Sequence, residues 1–236
     1  CGSVDHYVTA RPRMWKCKDC AKIYSVTTDT IFHARKLAIR DILAAVALFV
    51  DGVSGVAALR MSRELNISSK AAFVLLHKIR EVMGETQQEG KLSGEIEIDG
   101  AVVGGSIRQT NRVADRIDRR LARHQTGKRR AVVIMRERGG RSIPSVHMHE
   151  GDAVPAIAER VMPGAKVYAD EGTHWDALHS IFSMGRINHS VQFSDKDNCT
   201  NQAESYFARL RRAERGVHYH FSPQHLLQYA NEISWC

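Results

Sequence analysis

Between residues 92 and 200, short β-rich runs alternate with helical and basic segments, and this alternation limits the fold more than any other feature of the chain. Glu95, Ile96, Glu97 and Ile98 alternate polar with apolar, as a half-buried strand does, and Asp99 is expected at the strand's end. Residues 131–135 read as a buried strand and 145–149 as a shorter one. Residues 153–161 are expected to be helical. Val167-Tyr168-Ala169 reads as another buried strand, ending in Asp170-Glu171-Gly172. Residues 175–182 look helical and 189–193 strand-like. Elements in this order predict an α/β fold: a mixed sheet flanked by helices.

Ahead of that region, residues 37–84 are helical in pattern. Asp41 is placed to cap a helix over 42–50, and Asp51-Gly52 to stop it. Ser54 is placed to cap a second helix through Ala57, Leu59 and Leu65. Asn66-Ile67 makes a tight turn, and Ser68 caps a third helix over 69–83, with Ala72, Leu75, Leu76 and Ile79 on one face. Two helices joined so tightly fit a helix-turn-helix, which leaves Lys70, His77 and Lys78 for phosphates. An ordinary helical hairpin has the same pattern. The apolar run at 42–50 is about half of what a membrane span needs, so no membrane partner is expected.

Charge points the same way as the helix-turn-helix. The net charge of +8 and pI of about 9.4 favour a polyanionic partner, because each phosphate contacted releases counterions. Residues 106–130 hold nine Lys or Arg against two acidic residues, without apolar periodicity. They read as a basic insertion between two strands, for DNA or simply solvated.

Asp99 and Asp170 each follow a β-rich run, and strand ends are where such sheets bind ligands. Two neighbouring carboxylates suit a pair of hard cations for in-line phosphoryl transfer, although Asp-Gly and Asp-Glu-Gly also start ordinary turns. Further on, Asn201, Glu204, Phe207 or Ala208, and Arg211 recur at helical spacing. One helix face would then carry an amide, a carboxylate and a guanidinium. At the N-terminus, Cys17-Lys-Asp-Cys20 reads as a metal knuckle. Cys1-Gly2 reads as the second half of another, whose first cysteine would precede residue 1. That leaves three zinc ligands of four, with His6 as a weak substitute. Cys199 and Cys236 lack ligand spacing. The histidines of Gly216-Val-His-Tyr-His220 are expected near DNA or packed locally, and Trp175 in the core or against a base.

Four motifs taken together, Gly94-Glu-Ile-Glu-Ile-Asp-Gly-Ala-Val-Val-Gly-Gly105, Ala169-Asp-Glu171, Arg186-Ile-Asn-His189 and Thr200-Asn-Gln-Ala-Glu-Ser205 with Arg209-Leu-Arg-Arg212, resemble the bacterial insertion-sequence transposases of the DDE class. The branch most similar begins with a zinc ribbon, and the resemblance spans nearly the whole chain. It implies a zinc-ribbon-like module at 1–36, a helix-turn-helix region at 37–91 and an RNase H-like catalytic domain at 92–236 with the basic insertion 106–130. It also implies that Asp99, Asp170 and Glu204 hold two Mg2+ (or Mn2+) ions, and that Cys1, Cys17 and Cys20 belong to a Zn2+ site. Asn201 lies in the same motif, and some members assign the third role to Asn. Where the family usually has Lys, this chain has Arg211, which keeps the phosphate charge and adds a bidentate fork.

The activity implied is cleavage and strand transfer at transposon ends. The partners are double-stranded DNA, both terminal repeats and target, and further copies of the chain, in the cytoplasm at the nucleoid. DNA contacts fall to Lys70, Lys78, Arg108, Arg112, Arg119, Arg120, Lys128, Arg129, Arg130, Arg209 and Arg212. A nuclease without strand transfer, or an inactive DNA-binding regulator, would share much of this sequence.

Overall fold

The computed structural model describes residues 1–87, 89–105, 109–118, 121–124, 126–187 and 199–235. Its first element is a small antiparallel sheet, β1 (His6–Val8), β2 (Trp15–Cys17) and β3 (Ile23–Tyr24), in that order. The rings of His6, Trp15 and Tyr24 pack together on it at 6.0–6.3 Å. Of its strand residues only Cys17 is buried. So little apolar burial is not enough to hold three short strands in water.

Three helices follow: α1 (Ile39–Val50), α2 (Ala58–Glu64) and α3 (Ser69–Gln87). They close around Ile42, Ala45, Phe49, Met61, Leu75 and Leu76. Asn66, at φ 50°, makes the tight turn between α2 and α3. The Ser68 hydroxyl accepts a bond from Ala71 N at 3.2 Å, as expected of a cap. The other two expected caps are corrected. Helix α1 starts at Ile39, so Asp41 lies in its first turn, where its charge favours the positive helix end instead. Helix α2 starts only at Ala58, four residues beyond Ser54, with Ala57 at its cap.

The larger body is a five-stranded mixed sheet in the order β6-β5-β4-β7-β8. Its strands are β4 (Glu95–Val103), β5 (Arg130–Glu137), β6 (Ser142–His147), β7 (Lys166–Asp170) and β8 (Ser183–Ile187). The pairs β4–β5 and β5–β6 are antiparallel, whereas β4–β7 and β7–β8 are parallel. Strand periodicity of two divides the side chains between two cores. Ile96, Ile98, Val133 and Met135 face α4 (Val154–Arg160) and the 3-10 segment Thr173–Ser180, with Ile157, Trp175 and Leu178. Ala101, Val103, Val132 and Ile134 face α5 (Asn201–Ala213) and α6 (Leu226–Trp235), with Tyr206, Phe207, Leu210 and Ile233. The expected α/β architecture, a mixed sheet with helices on it, is what forms.

The bounds of β4 differ from expectation. Strand β4 does not end at Asp99: it runs four residues further, through Gly100, and pairs with β5 as far as Val103–Arg130. Segment 173–180 is helical, as expected of 175–182, in the 3-10 form. The expected strand at 189–193 lies outside the described residues.

Helix α3 also packs along α6, which ties the helical layer to the sheet. Arg80 Nε donates to Glu232 Oε2 at 2.8 Å, with both side chains 1% exposed. The Arg80 guanidinium stacks on Tyr229 at 4.5 Å, and Gly84 leaves room for the Asn231 amide. Among the described residues, no helix is long and apolar enough to cross a membrane.

Candidate functional site

Strands β4 and β7 run parallel and are in register at Glu97–Tyr168. Two residues further on, the chains reach Asp99 and Asp170, one in each strand. Asp99 has the same parity along β4 as Glu97, Ala101 and Val103, so its carboxylate is on the α5 side of the sheet. Here β4 has left β7 and pairs only with β5, which opens the sheet beside the side chain.

Helix α5 brings the third carboxylate, and a buried one sets its position. Glu97 is fully buried. Its Oε2 accepts the backbone N–H groups of Gln202 (2.8 Å) and Ala203 (3.1 Å), and its Oε1 accepts Arg138 Nε (2.9 Å). A β4 carboxylate therefore caps the first turn of α5, with the favourable sign for a helix N-terminus. Arg138 also donates to Glu95 and to the Cys199 carbonyl, so Cys199 belongs to this clamp rather than to a metal site. Glu204 follows one residue after Ala203 and is exposed, as are Asn201 and Arg211 on the same helix face.

The carboxylates act on one another. Burial pushes the Asp99 carboxyl up to about 7, and the charges of Asp170, Glu204 and Glu150 push in the same direction. Opposing them is one backbone bond, from Gly100 N to Asp99 Oδ1 at 2.8 Å. Asp170 Oδ1 accepts Gly172 N at 3.1 Å. Arg186 on β8 donates to the Gly172 carbonyl at 2.7 Å and to Asp176 at 3.2 Å, which fixes the loop after Asp170. Asp99, Asp170 and Glu204 thus come from three distant points of the chain to one electrostatic neighbourhood. The fourth member, Glu150, had no motif or spacing to mark it.

The three thiols also meet. Cys1 Sγ lies 3.5 Å from Cys17 Sγ and 3.2 Å from Cys20 Sγ. Backbone N–H groups of Cys20 and Asp19 hold the Cys17 thiol below its ordinary pKa. Among the described residues, this is the only trio of His, Cys, Asp or Glu whose ligand atoms all lie within 4.8 Å of one another. The three carboxylates span more than that, and His6 instead faces Trp15 and Tyr24.

The cations expected at DNA are spread over the surface. Lys70 is exposed, whereas the Lys78 ammonium donates to the Ile31 carbonyl at 2.6 Å and ties the preceding loop to α3. His77 is not offered to phosphates. Its ring packs against Phe73, His225 and Tyr229, and burial, with the Arg80 charge, lowers its pKa to about 4. Arg112, Lys128, Arg211 and Arg212 are exposed, while Arg129, Arg130 and Arg209 are half-buried. Arg108, Arg119 and Arg120 lie outside the described residues. His218 packs locally against Phe221 and Tyr229, 3.6 Å from Glu232. Trp175 is a core residue, fully buried.

Comparison with known proteins adds three findings. The family described as ISXO2-like transposase domain matches residues 91–236. An uncharacterized transposase-like protein of Haemophilus influenzae is 31% identical over 83 residues, which are 35% of this chain and 67% of that protein. Among solved structures, the crystal structure of the Mos1 strand transfer complex is similar with a TM-score of 0.29 and 8% identity, covering 86% of this chain and 77% of that one.

Proposed function

Because the chain belongs to the ISXO2-like transposases, a family of DDE-type insertion-sequence transposases, we propose that Asp99, Asp170 and Glu204 form the site at which it cleaves transposon ends and joins them to target DNA. The observation that carries this reading is the state of Asp99. It is half-buried, and three other carboxylates bear on it. Burying like charges together costs free energy unless a cation compensates.

That compensation tests the fit of the metal ions the family implies. Oxygen ligands on two strands and a helix suit Mg2+ or Mn2+, which take a few carboxylates with waters and substrate phosphates. Two ions about 4 Å apart need ligands spread over more than one coordination sphere, in keeping with the wider span of these carboxylates. Bound there, such ions supply Lewis-acid stabilisation and an activated water for in-line phosphoryl transfer.

The protein's own side chains do the remaining work. Asp99 and Asp170 are fixed by the sheet, and Glu204 by the Glu97 cap on α5. Asn201 and Arg211 share Glu204's exposed helix face, where the amide and guanidinium can hold a phosphate beside the carboxylates. Arg209, Arg212 and the basic stretch that holds Arg112, Lys128, Arg129 and Arg130 extend that charge along the DNA backbone. We read the five-stranded sheet with helices on both faces as RNase H-like, with the catalytic domain at 92–236. Residues 37–91 then form a helix-turn-helix region. Residues 1–36 form a zinc-ribbon-like module in which three thiols supply ligands of a tetrahedral site.

The test is an assay with the full chain, double-stranded oligonucleotides copied from the two flanks of its gene, a supercoiled target and Mn2+. Loss of cleavage and joining in Asp99→Asn and Asp170→Asn, with DNA binding retained, supports the assignment. Retained cleavage in either variant overturns it. Hydrolysis without joining would make the wild type a nuclease, and bound but uncut DNA a regulator.

A further inference from the structure

Packing accounts for only half of the motif Gly216-Val-His-Tyr-His220. After α5 the chain makes a π-helical turn, Glu214–His218, which closes on Tyr219 in a left-handed conformation at φ 63° and ψ −29°. Helices often close on a left-handed residue, but glycine usually takes that place because a Cβ is strained there. Gly216 lies three residues earlier and does not take it. Strained backbone of this kind, like single π-turns, is concentrated at functional sites.

The residues on either side are anchored. The His218 side chain is 5% exposed and packs on Phe221 and Tyr229. Phe221 is 1% exposed and stacks on Tyr229 with ring centroids 4.4 Å apart. Tyr219, between them, is 90% exposed, and its ring makes no hydrogen bond or ring contact with another described residue. A tyrosine on a loose loop lies down on nearby apolar surface and gains by covering it. Here a backbone fixed on both sides holds the ring out in water.

The surroundings are basic. Between 205 and 220 there are four arginines and one acidic residue, Glu214. Arg211, Arg212, Arg215 and His220 are exposed. A Cβ on Gly104 would lie 3.5 Å from the Lys128 carbonyl oxygen and 3.8 Å from that of Phe221. Tyr219 is therefore two residues from the neck where the basic stretch leaves β4 and returns to β5. Phe221 shares a core with Val103, which is four residues, or about 13 Å, along β4 from Asp99.

A DNA strand offers phosphates to the cations and a flat face to the ring. In a duplex the base faces are already stacked on one another, so only an unpaired base has a face free for a side chain. We propose that Tyr219 is a stacking platform for an unpaired base of a DNA strand, whose flanking phosphates lie on Arg212, Arg215 and Lys128. The inference rests on the DNA-binding reading of the chain. It extends that reading from the backbone to a base, a few nucleotides from the Asp99 site.

The experiment measures binding of the full chain, without Mg2+ or Mn2+ so that nothing is cut, to a single-stranded oligonucleotide copied from one flank of its gene and to the same sequence as a duplex. A 2-aminopurine in the single strand reports stacking through the quenching of its fluorescence. Tyr219→Ala is expected to weaken single-strand binding about 5- to 100-fold and to remove the quenching, with duplex affinity and melting midpoint unchanged. Tyr219→Phe keeps the ring and should bind and quench like the wild type, whereas Lys128→Gln should weaken binding to both DNAs. Unchanged single-strand binding in Tyr219→Ala, or equal losses on both DNAs, overturns the inference and leaves the proposed function standing. So does a Tyr219→Ala chain that binds both DNAs normally but sediments as a smaller species, because the ring then meets a second copy of the chain. A wild type that binds neither DNA removes the DNA-binding reading itself, and the inference with it.

Discussion

Replacing Asp99 with Asn should stabilise the metal-free protein, and by an amount that grows with pH. The folded state holds the Asp99 carboxyl at about 7, against 3.8 for the unperturbed group, first through burial and then through Asp170, Glu204 and Glu150. A raised carboxyl pKa means that the folded chain binds the proton more tightly than the unfolded one. Below pH 4 both states are protonated and there is no penalty. Between about 4 and 7 the unfolded state ionises first, so stability falls as pH rises, and above 7 the penalty is complete. Linkage gives a penalty of about 2 kcal/mol at pH 5 and about 4 kcal/mol at pH 8. Asn carries no charge and still offers an oxygen to Gly100 N, so its advantage should be about 2 kcal/mol larger at pH 8 than at pH 5. Urea denaturation in chelator at the two pH values measures this, with fluorescence of the buried Trp175 among the reporters of the sheet. Saturating Mn2+ should reverse the order, because only the wild type then gains binding free energy. An Asn variant that is less stable at both pH values, or whose advantage does not grow with pH, would refute the argument that Asp99 sits in an uncompensated anionic cluster.

The remaining predictions concern the scaffold. Glu97→Ala leaves Arg138 and the first turn of α5 without their acceptor, and should cost about 3–5 kcal/mol in denaturant unfolding; Glu97→Gln should cost less and weaken Mn2+ binding, because α5 then holds Glu204 less firmly. Arg80→Ala strands Glu232 in the contact between α3 and α6 and should cost about 3–5 kcal/mol, whereas the paired change Arg80→Met with Glu232→Leu should recover most of that loss. Cys17→Ser should lower the zinc content of the purified chain, measured by chelator-induced release, and leave the urea midpoint of the sheet unchanged.

How much of this was legible beforehand depended on whether a feature is local. Strands β5 and β7 are runs of buried apolar residues, and α3 shows helical spacing with a serine cap, so periodicity alone located them. The end of β4 was misjudged because Asp-Gly is a common turn, yet Gly100 has an ordinary strand partner in Val133. Strand β6 begins at Ser142, three residues earlier than expected, and takes in Pro144. At the edge of the sheet a proline is tolerated. The candidate carboxylates Asp99, Asp170 and Glu204 were singled out through motifs. Glu150 was not, because a single glutamate before a helix has no distinctive spacing, and its relation to Gly100 and His174 exists only in three dimensions. The role of Glu97 was hidden for the same reason: in sequence it is merely the polar half of an alternating strand.

Glu97 and Asp99 lie two residues apart on one side of one strand, and the contrast between them explains the division of labour. Glu97 meets two helix N–H groups and a guanidinium, so its charge is spent inside the protein on holding α5 in place. Asp99 meets the N–H of its own neighbour and lies in the field of three more carboxylates. A buried carboxylate with donors is scaffold, and one in the field of other anions is, in the proposed function, a place for cations. The free energy lost at the second has to be covered elsewhere, and the Glu97 cap and the Arg80–Glu232 pair lie where they can do so. One pins the helix that carries Glu204, and the other locks the helical layer onto α6. A site strained by its own charges can stay assembled in the absence of metal only if the elements that bear those charges are fixed by contacts that do not depend on metal.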